Sequence, residues 1–452
     1  MTVRPPRTAS RLAGSLAGRR IAAALLLLPL IAGSTGCGGE SGKPAPVAPR
    51  SAVILGFDAL DWQVLEPLIE AGQAPTFARL RDEGASGVCL SFVPLQKSPL
   101  IWASIATGLE PAAHGIGGFV KPKPGGADAL SAAADWRAPA IWDLAGAADL
   151  SSCVIGWWVT FPARAIAGVL VSDHVTYTAA GNRNPAGLVQ PADLAAELSD
   201  LTVSWDEVPL DLLRIMLPGA TDEMLDPSDS YLHRLRLALA GDLTYLATAR
   251  HLLARGDYDF FAVYFRGLDL ACHTYWKYHD PGDGPEQSEE DRARYGNIVP
   301  GYYQVLDRWL AELLPLLRQD ANLVIVSDHG FHGPRRDRQG TFTRGVAEHR
   351  PEGVLMIRSP LYTPGARFTS SHVLDVAPTT LALLGVPPSQ EMPGQILREN
   401  LTAPAAAYVE YLDANRIASY ALLAPAPPPE VADDPAVDAA VRRQLRSLGY
   451  VD

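Results

Sequence analysis

Three carboxylates in this sequence stand where an apolar run stops. Asp58 follows Val53-Ile-Leu-Gly-Phe, Asp269 follows the run that opens at Phe260, and Asp328, with His329 beside it, follows Leu323-Val-Ile-Val-Ser. One such Asp alone would suit a helix N-cap or a turn. Three together, two of them accompanied by histidine, point to metal. Asp269 and His273 are four residues apart, so on a helix their side chains face the same way and can share one ion. Carboxylate and imidazole without thiolate favour Zn²⁺ or Mn²⁺, and two such clusters suggest a two-metal site. Hydrolysis there needs a nucleophile, and Lys97-Ser-Pro offers Ser98. Serine before Pro99 also reads as an N-cap with proline at the first helical position. The two readings are compatible, because the positive end of a helix favours an alkoxide and an arriving phosphate.

These residues need a scaffold that carries them to one edge. Continuous apolar runs of strand length recur at 52–57, 87–93, 153–158, 260–265 and 323–326, with helical patterns between them at 64–81, 100–107, 232–253 and 302–317. Uninterrupted apolar strands are those buried on both faces, and their alternation with helices predicts an α/β fold, a three-layer α/β/α sandwich around a mostly parallel sheet. In such sheets sites form beyond the carboxyl ends of the strands. Segments near 118–136 and 176–228, rich in Gly, Pro, Ala and Asp, read as insertions that cap the sheet.

Taken together, Asp58 after its strand, Ser98-Pro99 ten residues before Gly108, Pro111-Ala-Ala-His-Gly-Ile, Asp269-x-x-x-His273 and Ser327-Asp-His-Gly-Phe331 resemble the type I phosphodiesterase/nucleotide pyrophosphatase family of the alkaline phosphatase superfamily. The resemblance spans about 51–397 and includes the late helix motif that opens at Asp375. It implies an alkaline phosphatase-like fold and two divalent ions, zinc with manganese as the alternative. Asp58, Ser98, Asp328 and His329 would surround one ion; Asp269, His273 and a later histidine would hold the other. His349, shortly before an apolar strand, is the choice for that histidine, and His332 and His372 compete with it. Lys97 and Arg266, beside the proposed residues, are placed to meet phosphate oxygens. Val171-Ser-Asp-His174 repeats the letters of 326–329 but lacks the Gly-Phe that follows, so Asp173 and His174 are set aside; His114 reads as a loop support. The implied activity is phosphodiester or pyrophosphate hydrolysis of a small-molecule phosphoester through a covalent seryl intermediate. A phosphomonoesterase on the same site is the nearest alternative, and a lipid-anchored binding protein without catalysis is the alternative of another class. A sulfatase is disfavoured, since Ser98-Pro-Leu-Ile-Trp lacks the x-Pro-x-Arg those enzymes require.

Composition sets the boundaries. At 452 residues and 48% hydrophobic, the chain is too long and apolar for a disordered tail. Its 38 basic against 50 acidic residues argue against nonspecific binding to nucleic acid, and no duplex binding is expected. Five arginines (4, 7, 11, 19 and 20) precede an uncharged run at 21–33, which reads as an export signal, being too short for a membrane span. Ser34-Thr35-Gly36-Cys37 resembles a bacterial lipobox, with Ser34 where leucine is usual. The expected organisation is therefore a lipoprotein signal at 1–37, a flexible Gly/Pro/Ser tether at 38–50, the catalytic domain at 51–400, and an Ala/Pro-rich extension at 401–452 that ends in an amphipathic helix at 436–448. The protein is expected to be exported and held to the cell envelope by a lipid on Cys37. Without the leader, 33 basic residues face 50 acidic ones, a net charge of −17. Cys89, Cys153 and Cys272 read as buried thiols, a Cys89–Cys153 bridge being the lesser possibility.

Overall fold

In the computed structural model, residues 50–448 are described, except 124, 126–127, 181–185, 227–229, 338 and 433–434. The signal, Cys37 and most of the tether lie outside the described residues. Among those described, nine strands form the central sheet: β1 (Ala52–Phe57), β2 (Ala85–Leu90), β3 (Ser152–Ile155), β4 (Gly168–Val171), β5 (Val189–Gln190), β6 (Phe260–Phe265), β7 (Asn322–Val326), β8 (Glu352–Arg358) and β9 (Arg367–Phe368). Their order is β9-β2-β8-β7-β1-β6-β3-β4-β5. The five middle strands, β7 through β4, run parallel, whereas β8 is antiparallel to both neighbours and β5 is antiparallel to β4.

The strand sequences explain the three layers. Side chains alternate between the faces of a strand, and both faces of these strands are apolar. Val53, Leu55 and Phe57 enter one core with Phe261, Val263, Phe265, Leu323 and Ile325. Ala52 and Ile54 enter the other with Phe260, Ala262, Tyr264, Val324 and Val326. The first core is covered by helices that include Ser230–Arg255 and Ile298–Leu313, the second by Ser98–Thr107, Ile141–Ala147 and Val376–Leu383. The helix Ala403–Ala414, beyond residue 400, also buries Tyr408, Val409 and Leu412 in the second core.

Two expected elements differ. The helix expected over 64–81 is two helices, Trp62–Glu70 and Pro75–Glu83. Gly72, at φ +70°, ends the first in the left-handed region that favours glycine, and Pro75 opens the second. The run at 87–93 leaves the sheet at Leu90, and Val93 is exposed. Cys89, Cys153 and Cys272 are free and buried. No helix among the described residues is long and apolar enough to cross a membrane.

Candidate metal centre and nucleophile

Strands β7, β1 and β6 are neighbours and parallel, so their carboxyl ends bring Asp328, Asp58 and Asp269 to one edge of the sheet. Asp58 is still on the ladder, its N–H donating to Phe265 O at 2.9 Å. After β7 the Ser327 hydroxyl donates to His329 O at 2.8 Å, an irregular turn that sends both Asp328 and His329 into the interior. The helix Gly267–His279 stacks Asp269 and His273 one turn apart. It can begin that close only because residue 267 is glycine: a Cβ there would lie 1.9 Å from the Tyr302 hydroxyl.

Two buried clusters result, Asp58 with Asp328 and His329, and Asp269 with His273 and His349. In the first, His329 Nε2 is 3.1 Å from Asp58 Oδ1 and 3.5 Å from Asp328 Oδ2. In the second, Asp269 Oδ1 is 3.3 Å from His273 Nε2 and 3.4 Å from His349 Nε2, and the two imidazole nitrogens are 3.1 Å apart. The His329 and His349 rings stack at 3.7 Å and join the clusters. Tetrahedral ligands at about 2.0–2.1 Å from a common ion stand about 3.3–3.4 Å from one another. Both sets match that spacing.

The outer hydrogen bonds fix the tautomers. His329 Nδ1 donates to Gly330 O at 3.0 Å and His273 Nδ1 to the Glu348 carboxylate at 2.9 Å. Each therefore turns an Nε2 lone pair towards carboxylate oxygens, an arrangement that requires a cation or a proton between them. Among the described residues, none gives the buried Asp58 Oδ1 or either Asp328 oxygen a well-aligned hydrogen bond. Burial, with Asp58 pressed against it, drives the Asp328 carboxyl well above its ordinary value. Burial works to lower His329, but Asp328 and Asp58 override it and hold the imidazole up to about 10. His273 behaves alike, with Asp269 and Glu348 outweighing burial to hold it at about 9. Burial and the neighbouring His329 push His349 well down. The donor set is thus short of positive charge, as a site for divalent cations would be.

Ser98 opens the helix Ser98–Thr107, and the preceding Lys97 takes the N-cap position with no side-chain cap bond. The capping role available to Ser98 from sequence is not realised, and among the described residues nothing hydrogen-bonds to its buried Oγ. Ser98, Asp58, Asp269 and Arg266 line one cleft together with Phe119 and Tyr177. Arg266 is held there by a hydrogen bond of 2.7 Å to the Tyr177 hydroxyl. Beside the second cluster, a cavity of about 620 Å³ reaches His273 and Glu348 and is lined by Arg234, Lys277, Arg344 and Arg446. This is the local cationic character that an acidic protein needs for an anionic ligand.

Among the described residues, neither competing histidine belongs to a cluster of metal-ligand spacing. His332 bonds Gly333 O at 2.6 Å, and His372 caps a turn by accepting from Leu374 N–H. Asp173 accepts from the N–H groups of Val159, Thr160 and Phe161, and His174 stacks on Phe161. His114 accepts from Ile116 N–H and bonds Ser104 Oγ at 2.9 Å, and burial lowers it to about 4. Three contributors were not singled out from sequence. They are Glu348, Tyr264, whose hydroxyl donates to Asp58 Oδ2, and Trp102, whose ring packs at a tilt against Tyr264 with centroids 4.6 Å apart.

The sequence profile described as type I phosphodiesterase/nucleotide pyrophosphatase matches residues 52–360. No curated protein matches the sequence. Among solved structures, phosphonoacetate hydrolase from Sinorhizobium meliloti 1021, in complex with phosphonoformate, is similar at a TM-score of 0.39 and 20% identity. That match covers 66% of this chain and 60% of the hydrolase, so the chain spans less than two thirds of its length. Human ectonucleotide pyrophosphatase/phosphodiesterase 5 is similar at 0.45 and 11% identity, and its murine counterpart at 0.44 and 12%, each match covering 78% of this chain and 100% of the other.

Proposed function

Because the chain belongs to the type I phosphodiesterase/nucleotide pyrophosphatase family, we propose that it is a metal-dependent phosphoester hydrolase that cleaves phosphodiester or pyrophosphate bonds with Ser98 as nucleophile. The observation that carries this reading is the convergence of two carboxylate–histidine clusters on the cleft that holds an uncommitted serine hydroxyl. Asp58, Asp328, His329 and Ser98 would hold one ion and Asp269, His273 and His349 the other, zinc being the best fit to four-coordinate spacing. Bound there, the cations would make the serine and a water more acidic and offset charge on the phosphoryl oxygens.

The chain's own residues supply the rest. Ser98 Oγ loses its proton to solvent and forms a bond to phosphorus as the bond to the leaving oxygen breaks; the leaving group then takes up a proton. Water hydrolyses the seryl phosphoester and restores the hydroxyl. Arg266, fixed by Tyr177 and lining the same cleft as Ser98, would meet a nonbridging oxygen. Ser98→Ala is expected to abolish turnover of bis-p-nitrophenyl phosphate while the protein retains about two ions per chain for such a two-metal site. Near-parental turnover would exclude Ser98 as nucleophile. Measured beside it, p-nitrophenyl phosphate separates diester from monoester preference.

The site is further proposed to work outside the cytoplasm, on a protein anchored by lipid at Cys37. Support comes from the basic leader and the lipobox-like residues 34–37. Cys37→Ala should release the protein from the membrane fraction; unchanged membrane association would rule the anchor out.

A further inference from the structure

The C-terminal end of the chain, beyond the residues matched to the family, closes the nucleophile's cleft. The helix Pro435–Leu448 turns Val441 and Leu445, 4% and 2% exposed, against Phe119 and Tyr177. Leu445 and Gln444 line the same cleft as Ser98, Asp58 and Asp269. The next residue, Arg446, lines the 620 Å³ cavity on the side of His273 and Glu348. The last turns of this helix therefore stand between the serine and the outer cavity.

Size decides what this partition does. The space left on the serine's side is about 10 Å³, which holds one water and no phosphoester. The attachments of the helix reach beyond the capping segments: besides Phe119 and Tyr177, its apolar seat takes in Trp158, Leu270 and Val346, none of them a residue of the sheet. Arg442, paired with Asp438 of its own helix, donates outward to Asp128 O at 2.7 Å, and Val431 of the Pro-rich strap leading to the helix packs near Gly187. Two buried aliphatic side chains on a short amphipathic helix make a seat that can open without disturbing the sheet.

We propose that this helix is a lid. Docked, Leu445 keeps a phosphoester from Ser98 Oγ; lifted, it joins the outer cavity and the nucleophile into one groove. The proposal rests on the reading of Ser98 as nucleophile, and its test separates the two.

In a Ser98→Cys background, the alkylation rate of the thiol at position 98 by iodoacetamide, followed by peptide mass, reports access without requiring turnover. It is compared in the full chain, in a chain ending at Pro429, and in a full-length Val441→Asp/Leu445→Asp variant, which places two carboxylates in the apolar seat. Melting temperature and bound metal confirm that each form is folded. Lid opening predicts labelling at least ten-fold faster in both altered forms, and, with Ser98 intact, a similar gain in kcat/KM for bis-p-nitrophenyl phosphate. The point variants keep the test open if the shortened chain does not fold. Equal labelling rates in folded full-length and point-variant protein overturn the lid whatever the activity. Faster labelling with lower kcat/KM also overturns it, since the helix would then be a wall of the working site. Faster labelling with no hydrolysis by any form leaves the lid standing and sinks the hydrolase reading instead.

Discussion

At the scale of single residues, the second cluster depends on a group that does not face the ion position. Glu348 accepts from His273 Nδ1 at 2.9 Å and also from Gly345 N–H at 3.1 Å, so its carboxylate is itself held in place. Without it, His273 loses the bond that fixes both its tautomer and its ring plane, while Asp269 and His349 stay where they are. Removal of such an outer partner typically lowers metal affinity about 10–100-fold. In protein loaded with zinc, Glu348→Ala is therefore expected to weaken binding at the second cluster by that factor in a competitive chelator titration, with binding at the first unchanged. Glu348→Gln keeps an acceptor oxygen and should recover part of the loss. Equal weakening of both ions, or of neither, would show that Glu348 serves the loop and not the site. Tyr264 is the corresponding partner on the first cluster, where its hydroxyl donates to Asp58 and accepts from Trp158 Nε1 at 2.6 Å.

At the scale of elements, Ser98, the proposed nucleophile, is placed by the seat of its helix on β1. Gly56 is the one residue of that strand without a side chain, and the ring of Trp102 fills the space: a Cβ on Gly56 would fall 2.7 Å from it. Gly56→Ala is expected to push Trp102, and with it the helix Ser98–Thr107, off β1. Overpacking of this kind costs about 1–3 kcal/mol, and a displacement near 1 Å at a reacting group can cost about 100-fold in rate. The variant should thus show a lowered melting temperature and a much reduced kcat with its metal content kept; an unchanged kcat would mean that Trp102 absorbs the methyl by itself. This seat was not legible in the sequence, because glycine in a strand and tryptophan in a helix carry no sign that they meet. The same holds for Glu348 and Tyr264, whose partners are 75 and 206 residues away. The strand-ending aspartates were legible, because a fully apolar run that stops at a carboxylate is itself a statement about burial and exit. The break at Gly72 and Pro75 was also legible in principle, since both residues are helix punctuation, but an apolar period continuing across it hid the turn. His349 came forward through family resemblance alone; its own sequence context offers no more than a histidine before a strand.

At the scale of the whole molecule, the chain buries an excess of negative charge at the centre of its sheet edge, and the metal-free protein must meet that cost with protons. His329 and His273 are held up to about 10 and about 9, from an ordinary value of 6.5, and Asp328 is raised well above 3.8. A group whose folded pKa exceeds its unfolded one contributes fully below the unfolded value and loses that contribution as pH climbs through the folded one. For the two histidines the loss falls between about pH 7 and pH 10. Asp328 changes stability in the same direction over its own range. His349, pushed well below 6.5, works in the opposite sense, but its contribution is lost only as pH falls below that value, outside this window. Divalent ions would replace the missing positive charge without titrating there, and ligands that bind only the folded state raise its stability by mass action. The melting temperature of chelator-treated protein should therefore fall steadily from pH 7 to pH 10, while that of zinc-loaded protein falls much less, so that the gap between them widens with pH. A constant gap would mean that the clusters carry no titrating charge, and that the short contacts among Asp58, Asp328 and His329 are settled by ordinary hydrogen bonds.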